Sequence, residues 1–564
     1  MKEGSAPSLW QAALSCLLLW GLSWFSNQLG YWPVSYVLYG IMAVIILSAV
    51  LSWSRKFGVI YLLEQMMRTA HTYGDMKIAG EEQVIEYKLG EPLDGSEIIL
   101  GALGGTIISY RGISHVTTIA PNNAGKSESV CLNNCLSIKH NLVVTDKGGE
   151  NCVRSYAHRK NRLLQGCVVI NPWRLWVDQE IPNHHFNPLQ HLVALAREDS
   201  PELLDEARAI AEVLIADAQK RGDNTFFAEA AKLLLVAIMI FFAYWEADTG
   251  EVCCNLPHIF NIIAGSKEDL DQVLQDMRTS EYGKGAVKKA AGRFEAELAL
   301  NPKTFGSILS EAKNAVSLFD PMGMLARSME LSDFDPNDLK RKPMTIYIVM
   351  PSDKISVYGR WAGLVSDVLI RSVMRAKSLH PRVTFELDEF ANLSSSQLPA
   401  VLPALYVGRS LGCQLHVYVQ DRNAFKRYGD EASAFETQSE VLQIWGVRSV
   451  EDAKWIEDRS GQTTLRKESV SAPAADDNSG GHFQRNLSLD DVQVPVIRKD
   501  QALMLPDWRQ FIIFKNKPVI VADLLSVYQV DPWREWVTKL PGDDAKPSLN
   551  VRFKISEEGD FNHV

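Results

Sequence analysis

The sequence predicts an α/β fold in which a mostly parallel sheet carries a phosphate-binding loop, interrupted by an all-α region and preceded by two membrane helices. Three observations support this fold class. A Gly-Lys-Ser loop lies between an apolar, β-branched run and a helix-like segment. Strand-like and helix-like segments alternate on both sides of a long helical stretch, as is typical of a sheet covered by helices. The first part of the chain contains two long apolar runs without charged residues.

The amino-terminal region has no Asp, Glu, Lys or Arg between Gly4 and Ser54. Its two apolar runs, 9–25 and 34–53, each approach the roughly 20 residues that span a bilayer. Lys2 precedes the first run and Arg55-Lys56 follow the second, so positive charge flanks both outer ends. This pattern predicts a two-helix transmembrane hairpin, with both termini and the bulk of the chain in the cytoplasm.

A cleaved signal peptide, or a lipoprotein signal ending at Cys16, is the competing interpretation of the first run. Only one lysine precedes the run and its apolar residues continue past Cys16, which favours the membrane helix. The eight cysteines form no C-x-x-C pair, so we expect reduced thiols in the cytosol rather than a metal site.

The composition limits the class of protein. A hydrophobic share of 46% is ordinary for a globular protein, so any membrane-embedded part is small. The net charge of −10 is no signature of nucleic-acid binding by the whole chain, although a local basic channel remains open. The length of 564 residues suffices for roughly two to four domains.

The phosphate-binding loop is predicted after the strand-like run 116–119 and before the helix-like run 128–137. It matches G-x-x-x-x-G-K-[ST] except that Ala120 replaces the first glycine, which is tolerable if Ala120 keeps a negative φ. Lys126 would reach the β- and γ-phosphates and Ser127 would bind Mg²⁺. The competing interpretation is a simple turn with its lysine in solvent. The predicted nucleotide-binding residues are Ala120, Pro121, Asn122, Asn123, Ala124, Gly125, Lys126, Ser127 and Glu128.

The remaining elements are predicted from periodicity and turn residues. A β-rich lead-in occupies 57–115, and the helical stretch occupies 190–331. The run 232–242 is too short for a membrane span and is bracketed by Glu229 and Glu246, so it predicts a buried core helix. We expect a loop at 469–481 and a poorly ordered acidic tail over the last two dozen residues. Further strands are predicted at 98–100, 106–108, 141–145, 167–170, 345–350, 383–387 and 414–419, with a final hairpin at 511–514 and 518–521.

An acidic strand end supplies the second half of the predicted site. Asp388 and Glu389 follow the strand 383–387, so Asp388 would hold the Mg²⁺ shell and Glu389 would polarise the attacking water. A purely structural role would leave two adjacent carboxylates with nothing to offset their repulsion. Together with the loop, they predict an ATPase that uses ATP and Mg²⁺.

Two further residues are candidates for the hydrolytic site. Gln420 ends the following strand, where its amide would contact the γ-phosphate or the water; the alternative is a surface glutamine. Arg409 lies before that strand, where it would act as an arginine finger on a neighbouring subunit; the alternative is an ordinary exposed arginine.

With these motifs in order, the chain resembles the coupling ATPases of conjugation and type IV secretion, the TraG/TraD-like family. The resemblance implies a RecA-like, hexameric motor with a two-helix anchor in the bacterial inner membrane and an all-α domain facing the cytoplasm. It also implies a role in recruiting relaxase–DNA complexes or secreted proteins to the secretion channel. The matching features are the amino-terminal hairpin, 120–127, 143–146 with 149–151, 186–189, the helical insertion, 349–353, 387–390, 408–409 and the hairpin 511–521.

The resemblance assigns the family's nucleotide-binding, metal-binding and catalytic roles to Lys126, Ser127, Asp388 and Glu389, and also to Gln420 and Arg409. One departure concerns the family's Asp-x-Lys-Gly-Glu, which reads Asp-Lys-Gly-Gly-Glu here, so that Lys147 comes one position early. The resemblance implies a transmembrane hairpin at 1–56, a discontinuous RecA-like domain at 57–189 and 332–530, an all-α domain at 190–331, and a tail at 531–564.

The implied partners are further copies of the chain, channel components, a relaxase–DNA complex or secreted proteins, and single-stranded DNA. DNA contacts would run from Lys and Arg to backbone phosphates and would be salt-dependent. Two alternatives remain open: a docking receptor of the channel with little motor activity, and a related hexameric DNA translocase.

Overall fold

The computed structural model describes residues 9–56, 76–215, 225–394, 397–471, 486–541 and 543. The chain forms two compact units. One comprises Met1–Met76 with Gly461–Val496, and the other comprises Lys77–Ser460 with Ile497–Val564. Residues 57–75 of the predicted lead-in lie outside the described residues. The described part, 76–115, contains a short helix and two strands, so the β-rich prediction is confirmed there.

The amino-terminal helices are α1, Leu9–Gln28, and α2, Trp32–Lys56, which contact each other. Pro33 lies in the first turn of α2, where its missing N–H costs no helical hydrogen bond. The segment Trp32–Val50 is long and apolar enough to span a membrane, and only 11% of it is buried. The two helices are therefore present, and the crossing of a membrane by both stays a prediction.

A two-stranded ribbon belongs to the first unit. Strands β10, Gln462–Ser471, and β11, Asn486–Pro495, are antiparallel and paired from Gln462–Pro495 to Ser471–Asn486. The loop predicted at 469–481 is wrong for its first three residues, which end β10, and the rest of it lies outside the described residues. Paired strands at this place were not predicted, because β10 mixes charged and polar residues without an apolar alternation.

The second unit is built on an 11-stranded sheet with the order β2-β1-β13-β12-β9-β3-β8-β7-β4-β6-β5. The seven strands from β9 to β5 in this order are parallel to one another, and β12, β13, β1 and β2 continue the sheet as antiparallel strands. The central strands are buried along their whole length, as expected for Val- and Ile-rich parallel strands. The strands are β1 Ile98–Leu103, β2 Thr106–Tyr110, β3 His115–Ile119, β4 Asn141–Lys147, β5 Gly166–Ile170, β6 Met344–Met350, β7 Val383–Leu387, β8 Cys413–Val419, β9 Ser439–Ile444, β12 Arg509–Phe514 and β13 Ile520–Asp523.

Every strand predicted from the sequence is present in this sheet, and the final hairpin is β12–β13. A π-helical turn, Ser127–Cys131, leads into α4, so the predicted helix after the loop is confirmed. The described helices of this unit are α3 Glu81–Glu86, α4 Leu132–Ser137, α5 Glu150–Asn161, α6 Gln190–Arg197, α7 Glu202–Leu214, α8 Thr225–Thr249, α9 Leu256–Ala264, α10 Lys267–Thr279, α11 Ala286–Leu300, α12 Pro302–Val316, α13 Met324–Arg327, α14 Ile355–Arg375, α15 Val401–Val407, α16 Ala434–Thr437, α17 Val450–Ser460, α18 Lys499–Leu503 and α19 Trp533–Trp536.

The helical insertion lies between β5 and β6 and consists of α6 to α13. Asn255 caps α9 by accepting from the His258 N–H at 2.8 Å, and Ser266 and Asp269 form a capping box on α10. Helix α8 is 72% buried over its apolar length, which confirms a core helix rather than a membrane span. Its Lys232 pairs with Glu212 and Glu229 at 2.7 and 2.9 Å.

The chain after β13 folds back onto the sheet unit. Trp533 is fully buried and donates its indole N–H to Ser137 Oγ at 2.6 Å. Asp543 forms a bidentate ion pair with Arg154, at 2.6 and 2.7 Å. Residues 531–541 and 543, the described part of the predicted tail 531–564, are therefore held in the sheet unit by contacts that no local apolar period reveals. Residue 542 and residues 544–564 lie outside the described residues.

Candidate nucleotide site

The predicted site residues follow strands that end at one edge of the sheet. In the parallel ladder, Ile119 of β3 pairs with Val419 of β8, Leu387 of β7 pairs with Val417 of β8, and Thr145 of β4 pairs with Leu387. The carboxyl ends of parallel strands are where ligands bind in open α/β sheets. One edge of the sheet therefore carries all of these groups: the loop after β3, Gln420 after β8, Asp388 and Glu389 after β7, and Lys147 at the end of β4.

The loop after β3 has the geometry that a phosphate-binding loop requires. Gly125 has φ +77° and Asn123 has φ +60°, so the chain turns twice through the left-handed region. Ala120 is buried, keeps a negative φ and donates its N–H to the carbonyl of Val419 at 3.0 Å. The absent first glycine therefore causes no strain. The buried Trp445 supports the loop by donating its indole N–H to the carbonyl of Ala124 at 2.7 Å.

Lys126 is buried between the loop and the acidic strand end. Its Nζ donates to the carbonyl oxygens of Ala120 and Pro121 at 2.7 and 3.0 Å. Burial lowers the pKa of Lys126, and the carboxylates of Asp388 and Glu389 oppose that shift. The competing interpretation, a simple turn with its lysine in solvent, is therefore wrong. The Lys126 side chain is buried and is influenced electrostatically by the carboxylates of both Asp388 and Glu389.

Asp388 is buried at the tip of β7. Its Oδ1 accepts the Glu389 N–H at 2.9 Å, and its carbonyl accepts from Thr145 Oγ1 at 2.9 Å. Burial and the neighbouring Glu389 charge raise the pKa of Asp388 to about 6, although Lys126 acts in the opposite direction. A buried carboxylate with a raised pKa gains from a nearby cation.

Glu389 is held by three side chains. Its backbone lies in the left-handed region at φ +52°, and Lys147 Nζ contacts Oε1 at 2.9 Å. Gln420 Nε2 and Asn392 Nδ2 donate to Oε2 at 3.1 and 3.2 Å. Burial alone would raise the pKa of Glu389, but the hydrogen bond and charge of Lys147 and the Gln420 amide outweigh it and lower the pKa. Lys147, which comes one position early relative to the family pattern, therefore pairs with Glu389, a contact that the sequence pattern did not reveal.

These residues line a cavity of about 430 Å³. From the predicted set, the lining includes 122–128, Asp388 and Glu389. Ala120 and Pro121 are not part of the lining and act through their carbonyls on Lys126. Gln420 reaches the cavity only through Glu389. Lining residues that the sequence analysis did not assign are Leu132, Asp146, Lys147, Glu150, Asn151, Arg154, Ser352 and Tyr528.

Some of the unassigned residues had a signal in the sequence. Lys147 and Ser352 come at the ends of predicted strands, at the edge where Asp388 lies. Asp146 is buried and accepts the Asn151 and Cys152 N–H groups at 3.3 and 2.6 Å, so it caps α5, and burial raises its pKa to about 7. Arg154 and Tyr528 had no such signal, because only tertiary packing brings them to the cavity.

Arg409 lies away from this cavity. It precedes β8, and its Nη1 donates to Ser114 Oγ at 3.2 Å, just before β3 begins. It is therefore at the amino ends of the strands whose carboxyl ends carry the loop and Gln420. The structure does not bring Arg409 together with the other predicted site residues of the same chain.

The donor set fits a nucleotide with Mg²⁺. An exposed Ser127 hydroxyl, a buried Asp388 carboxylate and the Lys126 ammonium converge with loop N–H groups at a helix start. Among the described residues, no cluster of three or more His, Cys, Asp or Glu could hold a metal by itself. Mg²⁺ would therefore be held jointly with phosphate oxygens, as Mg²⁺ usually is in such sites.

Comparison with known proteins supplies the family. Residues 82–545 match the model of the family described as type IV secretory system conjugative DNA transfer. The chain belongs to this family. The resemblance to coupling ATPases of conjugation and type IV secretion is thereby confirmed.

Curated relatives are distant in sequence. Conjugal transfer protein TraG of Escherichia coli is 25% identical over 417 residues, which cover 71% of this chain and 63% of TraG. Protein VirD4 of Rhizobium rhizogenes is 24% identical over 412 residues, which cover 72% of this chain and 57% of VirD4. The chain thus spans about three fifths of the length of these relatives.

Solved structures share the fold of this family member. The bacterial conjugative coupling protein TrwB, in a form with sulphate, superimposes with a TM-score of 0.57 at 15% identity. The match covers 81% of this chain and 95% of that chain, and TrwB with the ATP analogue ADPNP gives a TM-score of 0.56. The predicted RecA-like P-loop fold with an all-α insertion is confirmed.

Substitution of two serines in the same helical turn tests whether Ser127 binds Mg²⁺, as the sequence predicts. Ser127→Ala should remove the Mg²⁺-dependent part of ATP affinity, weakening binding roughly tenfold, because an exposed hydroxyl in the cavity is lost. Ser129→Ala is the matched control, since the Ser129 hydroxyl is buried and has no hydrogen-bond partner within the described part of the chain. ATP titrations with Mg²⁺ and with EDTA measure the effect. Equal behaviour of the two variants would remove Ser127 from the metal site.

Proposed function

We propose that this family member is a membrane-anchored coupling ATPase. It recruits relaxase–DNA complexes or secreted proteins to a type IV secretion channel and drives their transfer by hydrolysing ATP. The observation that carries the proposal is the single cavity lined by Lys126, Asp388 and Glu389. Family membership supports the assignment to conjugative DNA transfer rather than to another class of P-loop ATPase.

Each site residue has a proposed role in hydrolysis. The loop N–H groups and Lys126 hold the β- and γ-phosphates, and Ser127 and Asp388 hold Mg²⁺. The metal would supply charge neutralisation at the phosphates. Glu389 orients and polarises the attacking water, and Gln420 fixes the Glu389 carboxylate through Oε2. Structures of the related TrwB in complex with ADPNP, with GDPNP, and with ADP and Mg²⁺ support this proposal.

Helix α14 offers a route from the cavity to the insertion. Ser352, which lines the cavity, lies three residues before the start of α14. Towards its other end, Arg371 and Arg375 of α14 pair with Glu206 of α7 at 3.4 and 2.6 Å. We propose that α14 transmits a change at the nucleotide site to the insertion, where substrates would dock.

The proposed assembly is a homohexamer in which Arg409 completes a neighbour's site. Arg409 is exposed at the strand ends opposite its own cavity, so a catalytic role for it would have to be on the nucleotide of another subunit. DNA, if it is the cargo, would be held by Lys and Arg contacts to phosphates, which weaken as salt rises. The membrane anchor would be the hairpin α1–α2, with both termini cytoplasmic.

Two substitutions separate nucleotide binding from hydrolysis. Lys126→Ala should abolish ATP binding and turnover, because the buried cation that faces the phosphates is lost. Glu389→Gln should keep ATP binding but lower turnover roughly 100-fold, because the base is removed. Turnover is measured on the purified full-length protein with and without single-stranded DNA. Wild-type turnover in both variants would show that ATP is not hydrolysed at this cavity, whereas no turnover in the unmodified protein would favour the docking-receptor alternative.

Mixing two inactive variants tests the action of Arg409 across subunits. Arg409→Ala should lower turnover roughly 100-fold or more, as loss of an arginine finger does. Co-assembly of Arg409→Ala with Lys126→Ala subunits should restore part of the activity, because one supplies intact loops and the other supplies Arg409. Absence of any recovery in verified mixed oligomers would contradict a role in trans.

Reporter fusions test the membrane topology. Alkaline phosphatase inserted at Gly30, between the two helices, should be active, because that link would lie outside the cytoplasm. The same enzyme fused to the carboxyl terminus should be inactive, and green fluorescent protein fused there should fluoresce. Phosphatase activity at the carboxyl terminus would contradict the proposed hairpin.

A further inference from the structure

The cavity extends beyond the groups that suit phosphate and metal. Lys126, Ser127, Asp388 and Glu389 account for the phosphate end of its lining. The remaining lining includes Leu132, an apolar side chain, and the aromatic ring of Tyr528. Charged residues such as Glu150 and Arg154 also line this part, and Tyr528 supplies its aromatic ring, whose face suits a flat base rather than an anion.

Tyr528 is fixed beside the first residues of the P-loop helix. Ser526 Oγ donates to the carboxylate of Glu128, and the Val527 N–H donates to the Glu128 carbonyl at 3.5 Å. The Tyr528 N–H in turn donates to Ser526 Oγ at 3.3 Å, and Val527 is fully buried. Since Glu128 directly follows Ser127, these contacts hold the backbone of Tyr528 close to the predicted phosphate-binding loop.

A buried arginine supports the Tyr528 ring. The guanidinium carbon of Arg154 lies 5.3 Å from the ring centroid, within the range of a cation–π contact. Arg154 is only 2% exposed and is fixed by its bidentate pair with Asp543 and by the carbonyl of Thr538. The ring is therefore fixed on one side by a cation that cannot easily move.

We propose that Tyr528 is the stacking surface for the base of the bound nucleotide. This inference rests on the proposed function and deepens it. The base is joined to the phosphates through the ribose, so it must occupy the part of the cavity that phosphate and metal leave free. Stacking on an aromatic face tolerates every base. The site should therefore accept purine nucleotides without strong discrimination between them.

A ligand without a base separates stacking from phosphate binding. Tyr528→Ala should weaken ATP binding roughly 5- to 100-fold, as loss of one base–aromatic stack does. Its affinity for inorganic tripolyphosphate should stay within twofold of wild type. Tyr528→Phe keeps the ring and should bind both ligands normally, whereas Tyr528→Leu keeps volume without an aromatic face and should bind ATP weakly.

Tyr156→Ala is the matched control. Tyr156 also carries a cation on its ring, Lys160 at 5.4 Å, but it does not line the cavity. It should bind ATP normally. Unchanged ATP affinity in Tyr528→Ala, or equal weakening of ATP and tripolyphosphate, would overturn the assignment of Tyr528. Lys126→Ala weakens both ligands if the proposed function holds, and unchanged binding of both ligands in that variant would overturn the proposed function itself.

Discussion

The charge balance around Lys126 is the interaction on which the candidate site depends. A buried ammonium is costly unless opposite charge and hydrogen bonds surround it. Here two loop carbonyls accept from Lys126, and Asp388 and Glu389 supply the negative field. The parallel order of β3, β8, β7 and β4 makes this arrangement unavoidable, because it brings the ends of distant chain segments to one edge. A triphosphate with a divalent cation would enter between groups that are already placed for both of its charges.

Residues far from the loop complete the cavity around this centre. Lys147 neutralises Glu389, Asp146 anchors the start of α5, and Arg154 on the same helix contacts Tyr528. The segment after β13 closes the structure through Asp543 and Trp533. These contacts join the carboxyl-terminal segment to α4, the helix that follows the phosphate-binding loop, and to α5, which begins beside Asp146.

The sequence predicted the parts of the fold that have short-range signals. The Val- and Ile-rich strands, the Gly-Lys-Ser loop and the acidic end of β7 are local patterns, and all of them lie where they were expected. Strand β9 was missed because its polar Gln443 is buried and satisfied by hydrogen bonds to Leu100 and Gln510, which no local pattern reveals. The partner of Lys147 and the place of Tyr528 were likewise beyond reach, since both depend on side chains from distant segments. The roles of Gln420 and Arg409 stay predictions.

A structure of the full-length protein with a non-hydrolysable ATP analogue and Mg²⁺ tests the central claim most directly. The account predicts one metal ion that contacts the Ser127 hydroxyl, lies beside the Asp388 carboxylate and shares the terminal phosphates with Lys126. A nucleotide bound elsewhere, or a triphosphate at the loop whose metal lies far from Asp388, would contradict it.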